Sequence, residues 1–244
     1  MWDTDAARRY DAWFTTPRGA FALRREVRLL EHMASGWPRR GQRLLEIGCG
    51  TGIFLDVLHQ AGFDVAGLDK SPAMLEAARA RMGALADLHL GDAEHLPFDD
   101  NEFDFAVILT VLEFCPDPGL ALREAARVAR KGLIIGFLNR LSLHWLLTRG
   151  LPGGRGGSIL GQARWFLPWE MRRLAMEHLG RRPYVCRSVL PGPMATWRNT
   201  PPWRHLNAPI LPLPLGAFCA ARVDLLGDPV TTPLHALKAK PGIG

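Results

Sequence analysis

The chain has 244 residues, 48% of them hydrophobic, with 30 Lys and Arg against 24 Asp and Glu for a net charge of +6. That length and composition fit one large globular domain, or one domain with insertions, and no stretch approaches the ~18 apolar residues of a membrane span. The four cysteines (Cys49, Cys115, Cys186 and Cys219) form no C-x-x-C pair, which argues against zinc, and they read as reduced thiols.

The opening residues Met1 to Asp5 lack the basic and apolar regions of a signal peptide, so the expected location is cytoplasmic. Positive charge comes mostly as arginine pairs spread along the chain, such as Arg24-Arg25 and Arg181-Arg182. A general arginine bias accounts for this as well as a polyanion partner would, and nucleic acid is not favoured.

Residues 1–40 read as a helical cover, with Leu23, Val27, Leu30 and Met33 at helical spacing and Tyr10-Asp11-Ala12-Trp13-Phe14 ahead of them. Leu44 to Ile47 is apolar enough for a buried parallel strand, and Ile53 to Ala61 for a helix. Between them stand Gly48, Gly50 and Gly52. Strand, glycine turn and helix together make a nucleotide-binding unit. The dinucleotide pattern G-x-G-x-x-G is not met, because Ile53 stands where the third glycine belongs.

Asp64 to Leu68 reads as the second strand, with Asp69 at its carboxyl end. Ser71 and Pro72 then start a helix as N-cap and first residue. Leu85 to Leu90 is the third strand, followed by Gly91-Asp92-Ala93-Glu94-His95-Leu96-Pro97-Phe98. Phe103 to Leu109 is the fourth, central strand, and Thr110 to Phe114 follow it. Gly119 to Arg130 reads as a helix capped by Lys131-Gly132, and Leu133 to Leu138 as the fifth strand.

The frame Glu46-x-Gly48-x-Gly50-x-Gly52 resembles motif I of the class I S-adenosylmethionine (SAM) methyltransferases. The segment Gly91 to Phe98 and the helix Leu122 to Gly132 are similar to that family as well. The resemblance is strong over residues 41–138, and the group it points to is the type 11 branch, the relatives of ubiquinone and menaquinone methyltransferases. It implies a Rossmann-like α/β fold with seven mostly parallel strands, helices on both faces and an antiparallel C-terminal hairpin. It implies SAM as cofactor, with S-adenosylhomocysteine (SAH) as product, and no metal.

The same resemblance distributes the cofactor contacts. Glu46, Gly48, Cys49, Gly50 and Gly52 form the turn, Asp69 would meet the ribose, and Lys70 beside it is a further cofactor-binding residue. Asp92 and the Ala93 amide would meet the adenine, Thr110 the methionine part, and Tyr10 would fold over the whole. Trp13, Phe14, Trp145 and Trp165 are candidate substrate contacts. Methyl transfer from a sulfonium needs positioning more than a side-chain nucleophile. If a base assists, the candidates are Glu113, His144 and His205, and none stands out.

Residues 139–167 and 191–214 depart from the family pattern and read as insertions that roof the substrate site. The chain 1–227 would be one domain and 228–244 a flexible tail. Tyr184 to Val189 and Phe218 to Leu225 supply strands six and seven. The expected function is methyl transfer to a small, partly apolar molecule. The alternatives are an RNA methyltransferase and a non-catalytic SAM- or SAH-binding regulatory protein. Leu141, Leu143, Leu146 and Leu147 leave contact with a membrane surface open but not favoured. Oligomeric state is not readable.

Overall fold

The computed structural model of the chain describes residues 2–148 and 163–226. The glycine-rich stretch 150–157 and the expected tail from 228 lie outside those residues. Two helices come first, α1 (Thr4–Thr15) and α2 (Pro17–Met33). They are separate because Thr16 is extended and caps the second, its hydroxyl accepting from the Gly19 amide at 3.0 Å, with Pro17 at the first helical position.

Strand and helix then alternate: β1 (Arg43–Ile47), α3 (Ile53–Gln60), β2 (Asp64–Asp69), α4 (Pro72–Met82) and β3 (Ala86–Leu90). The chain continues through β4 (Phe103–Leu109), α5 (Pro118–Val128), β5 (Ala129–Leu138), α6 (Leu143–Thr148) and α7 (Pro168–Leu179). It ends with β6 (Tyr184–Val189), a short α8 (Trp203–Leu206) and β7 (Phe218–Asp224). The strands form one sheet in the order β3-β2-β1-β4-β5-β7-β6. Neighbours are parallel except that β7 runs antiparallel to both β5 and β6, so the last strand slots between them.

The chain moves outward from β1 through β2 to β3, then returns to place β4 on the other side of β1. Loops leaving the carboxyl ends of β1 and β4 therefore part in opposite directions and leave a crevice. Alternation along the strands feeds two cores. Leu44, Phe105 and Val107 pack on the face covered by α2 and α3, while Leu45, Ile47, Ala106 and Ile108 pack on the face covered by α5 and α7. Every residue of β4 is buried, as its central place requires.

One boundary differs from the sequence expectation. The helix does not reach Arg130 and is not capped by Lys131-Gly132. It stops at Val128, and Ala129 already pairs with Phe103. The buried Asp104 is the cause. Its carboxylate pairs with Arg130 and, at 2.9 Å, with Lys131, and accepts from the Arg43 amide at 2.9 Å. This draws residues 130 and 131 into the strand. Gly132 is glycine because Trp37, stacked on Phe105 at 4.1 Å, crosses the strand there, and a Cβ would sit 3.0 Å from the indole.

The two insertions are built on buried amides. Asn139 donates to the Pro214 and Gly216 carbonyls, both at 2.8 Å, and so ties the start of the first insertion to the end of the second. Asn207 accepts from the Gly192 amide at 3.2 Å and donates to Thr196, which folds 191–214 onto the core. Leu141, Leu143, Leu146 and Leu147 are exposed. Among the described residues no helix is long and apolar enough to cross a membrane.

Burial alone would raise the Asp104 carboxyl, but the hydrogen bonds from Lys131, Arg130 and the Arg43 amide outweigh it and hold the pKa below the ordinary carboxylate range. A depressed folded pKa means stability that is present above the unfolded pKa and lost as pH falls through the folded one. Asp104→Ala is expected to lose about 1–3 kcal/mol at neutral pH, and less under acid, by denaturant unfolding. An equal loss at every pH would contradict this assignment.

Candidate functional site

The crevice at the carboxyl ends of β1, β2 and β4 holds a cleft partly open to solvent. Its floor is the glycine turn. Gly48 and Gly50 have φ of +72° and +53°, a region that costs little only without a side chain. At Gly48 a Cβ would also lie 2.2 Å from Val111 Cγ2, so the turn after β1 and the turn after β4 close on each other there. The Gly48 and Cys49 amides both donate to the Leu68 carbonyl, at 2.6 and 2.9 Å.

Asp69 stands at the end of β2 with its carboxylate accepting from the Gly50 and Ser71 amides, each at 2.8 Å. Burial raises its pKa, and those two amides together with the charge of Lys70 oppose the rise. Lys70 lines the cleft beside it. Asp92 and Ala93 line the cleft beyond β3, and Asp92 accepts from the Glu94 amide at 3.0 Å. Two side chains of α5 pin their loop. Glu124 accepts from the Leu96 amide at 2.9 Å, and Arg127 donates to the Leu96 and Phe98 carbonyls at 3.0 and 2.8 Å.

Thr110 follows β4 with φ of +52°, an unusual state for a β-branched residue. Its amide donates to the Gly136 carbonyl at 2.8 Å, which holds the chain in that turn. The opposite wall is aromatic. Trp2 meets Tyr10 and Phe114 edge to face, with ring centroids 6.1 and 5.5 Å away, and all three line the cleft. The Trp2 carbonyl accepts from the Ser71 hydroxyl, so the start of the chain is fastened across the cleft to α4. Burial, then the nearby Glu26, Glu46, Asp11 and Asp69 charges, push the Tyr10 phenol up and keep it neutral.

Of the sequence-expected cofactor residues, Tyr10, Gly48, Gly50, Asp69, Lys70, Asp92, Ala93 and Thr110 come together around this cleft. Glu46, Cys49 and Gly52 do not line it. Glu46 is buried behind the turn, raised well above the usual carboxylate range by burial and then by Asp69, and among the described residues its Oε2 has no hydrogen-bond partner. Cys49 is a buried thiol pushed up by burial and by the Glu46 and Asp69 charges. Gly52 takes a left-handed φ of +79° as the N-cap of α3.

The substrate and base candidates scatter. Trp13 packs half-buried against the core, and Phe14 lies 5.1 Å from Tyr10 behind the cleft wall. Trp145 is half-buried on α6. Trp165 and His144 are buried together with ring centroids 5.9 Å apart. Burial lowers the His144 pKa and favours the neutral ring. His205 is exposed and takes a hydrogen bond from Arg204, away from the cleft.

Glu113 does not form a surface pair. It is buried and accepts from the Leu138 amide at 2.7 Å, joining the turn after β4 to the end of β5. Burial raises its pKa to about 8 against the opposing Leu138 hydrogen bond.

Sequence reasoning missed Trp2, Phe114 and Cys115 as cleft residues. Cys115 faces the cleft as a thiol, its pKa raised to about 12 mainly by burial. It also missed a clamp beneath α1. Asp11 accepts from the Thr51 hydroxyl at 2.5 Å and from Arg81 at 2.9 Å, and Arg81 donates to the Thr51 carbonyl at 2.8 Å. Among the described residues no three His, Cys, Asp or Glu side chains group as a metal site.

A family model described as a methyltransferase domain, of type 11, matches residues 45–136, the stretch from β1 to β5 that builds the cleft. The matched stretch is that of a class I SAM-dependent methyltransferase. A malonyl-[acyl-carrier protein] O-methyltransferase of Serratia marcescens is 42% identical over 134 residues, covering 54% of this chain and 48% of that protein. The chain thus spans about half the length of the curated relatives it matches. A Thermotoga maritima SAM-dependent methyltransferase, described as a possible histamine N-methyltransferase, superposes with a TM-score of 0.71 at 27% identity, covering 91% of this chain and 97% of that one. Magnesium protoporphyrin IX methyltransferase from Synechocystis with bound SAH shares the fold, with a TM-score of 0.65 at 15% identity over 91% of this chain and 95% of that one. The cofactor of the family is SAM.

Glu113 separates two roles. Its folded pKa lies above its unfolded one, so the native state holds the proton and stability falls as pH rises from about 4.5 to about 8. Glu113→Gln keeps an acceptor for Leu138 and is expected to melt higher than wild type near pH 9, with the two curves converging under acid. An abolished methyl transfer in a variant that folds and binds SAH normally would instead make Glu113 a catalytic group.

Proposed function

We propose that the chain transfers the SAM methyl group to a small, partly apolar acceptor. The observation that carries this reading is the cleft itself, with carboxylates beyond successive strands on one side and the rings of Trp2, Tyr10 and Phe114 on the other. The residues present fit the cofactor. Gly50 faces open space where a Cβ would stand, and among the described residues the buried Glu46 Oε2 behind the turn lacks a partner.

In this reading Asp69 accepts from the ribose hydroxyls and is held in place by the Gly50 and Ser71 amides. Asp92 and the Ala93 amide take the adenine edge. Thr110 takes the polar end of the methionine portion, and Glu46 backs the glycine turn from behind. Bound SAM supplies an electrophilic methyl group on a sulfonium with a neutral leaving group. The aromatic wall excludes water and offers π faces to positive charge. Cys115 and Tyr10 stay neutral, so neither acts as an anionic nucleophile. Selection of the acceptor rests with the insertions, because the family model matches residues 45–136 and ends before both of them.

Asp69→Ala is expected to weaken SAH binding by roughly a hundredfold, two hydrogen bonds to a charged acceptor being lost. Calorimetry measures this directly, and unchanged affinity would remove the assigned role. Methyl-labelled SAM incubated with hydroxy-, amino- and thiol-bearing aromatic acceptors is expected to label at least one of them. Labelling of tRNA or rRNA alone would favour the nucleic-acid alternative.

A further inference from the structure

The helix that covers the cleft is lightly rooted in the core. α1 buries only Ala6 and Ala7, and its Trp13 packs on the core in part. The next helix, α2, buries Phe21, Leu29, Leu30 and Met33. Two small side chains contribute far less than four large ones. Thr16 is the one residue between the helices, and its extended backbone makes a hinge there. Yet Tyr10 of α1, and Trp2 just ahead of it, line the cleft opposite the glycine turn. A ligand laid on that turn lies beneath both rings, so its way in and out runs past α1.

What holds α1 down is polar. Asp11 is the sequence neighbour of Tyr10, Thr51 stands between Gly50 and Gly52, and Arg81 belongs to the last turn of α4. Asp11 accepts from the Thr51 hydroxyl at 2.5 Å and from Arg81 at 2.9 Å. Arg81 closes the triangle on the Thr51 carbonyl at 2.8 Å. Thr51 is fully buried, whereas the Arg81 and Asp11 side chains are 33% and 37% exposed. An ion pair so placed is worth little beside a packed core, and salt weakens it. It can part and re-form while the rest of the fold stays intact.

The triangle is joined to the site at both ends. Thr51 follows Gly50, whose amide is held by Asp69 at 2.8 Å, and Asp11 follows Tyr10. A ligand that steadies the glycine turn steadies one end, and a ligand that packs beneath Tyr10 steadies the other.

We propose that Asp11, Thr51 and Arg81 form a latch on α1 that sets how fast the ligand of the cleft exchanges, an inference that rests on the reading of the cleft as a SAM site. Opening parts Asp11 from Arg81 and Thr51 and lifts Tyr10 and Trp2 away. The three act through those rings and are positioning residues.

The direct test is release of tritiated SAH from the full chain, chased with unlabelled SAH. Arg81→Met is expected to speed release at least roughly fivefold, the loss of a charge-assisted hydrogen bond to the lid. Asp11→Ala is expected to do the same, and Asp11→Asn, which keeps an oxygen for Thr51, to do less. Arg173→Met removes an exposed ion pair with Glu177 on α7 and is expected to leave release unchanged. Added salt is expected to speed release from wild type and to have a much weaker effect on Arg81→Met. Hydrogen exchange on the unsubstituted chain keeps the test open where a variant fails to fold. Without SAH the α1 amides are expected to exchange far faster than those of β4, and SAH is expected to slow them.

Equal release from wild type, Arg81→Met and Asp11→Ala overturns the latch and leaves the SAM reading standing. So does an α1 that SAH fails to protect, or one as protected as β4 without ligand, because it would then open only with the whole fold. Folded wild-type chain that does not bind SAH counts against both.

Discussion

One carboxylate holds the cleft in shape. Asp69 accepts from the Gly50 amide on one side and from the Ser71 amide on the other, each at 2.8 Å. It thereby fixes the glycine turn after β1 against the start of α4. The Leu68 carbonyl, one residue earlier, takes the Gly48 and Cys49 amides. The end of β2 is thus the template on which the glycine turn is laid, and the acid that would read a ribose is already immobilised. Such preorganisation matters where binding depends on a few polar contacts, because little ordering remains to be done when the ligand arrives.

The surrounding structure defends that arrangement from both ends. The Asp11–Thr51–Arg81 clamp presses α1 onto the glycine turn and α4, which brings Tyr10 over the cleft. The Glu124–Arg127 pair holds the loop of Asp92 from the far face of the sheet. The sheet order supplies the crevice, and the close approach of Val111 to Gly48 narrows its base. The strained Thr110 turn, costing on the order of 1–3 kcal/mol, sits where β4 delivers its residues to the cleft. Strain held at that place by a backbone hydrogen bond is consistent with a positioning task.

The elements from 41 to 138 were legible because their signals are local. An apolar run, a glycine turn and a capped helix each lie within about ten residues, and an acid at a strand end inherits its position from the strand. What the sequence hid is non-local. Asp104 reaches Arg130 and Lys131 across the sheet, so a stretch that reads as a helix cap became the start of β5. Trp2 looks like an unremarkable terminal residue until Ser71 and Phe114 are placed beside it. Glu113 carries no mark distinguishing a base from a buried tether, because its partner, the Leu138 amide, is 25 positions away. The tryptophans of the insertions could be suspected of substrate contact, but only packing separates Trp165 beside His144 from Trp13 against the core.

The account depends most on the claim that the cleft is a site for SAM and not for a dinucleotide. A thermal-shift titration of the full chain with SAM, SAH and NAD in parallel tests it most directly, since a ligand that binds the native state raises the melting temperature by mass action. The prediction is a concentration-dependent rise with SAM and SAH and none with NAD. Stabilisation by NAD, or no response to SAM and SAH in folded protein free of co-purified ligand, would contradict it.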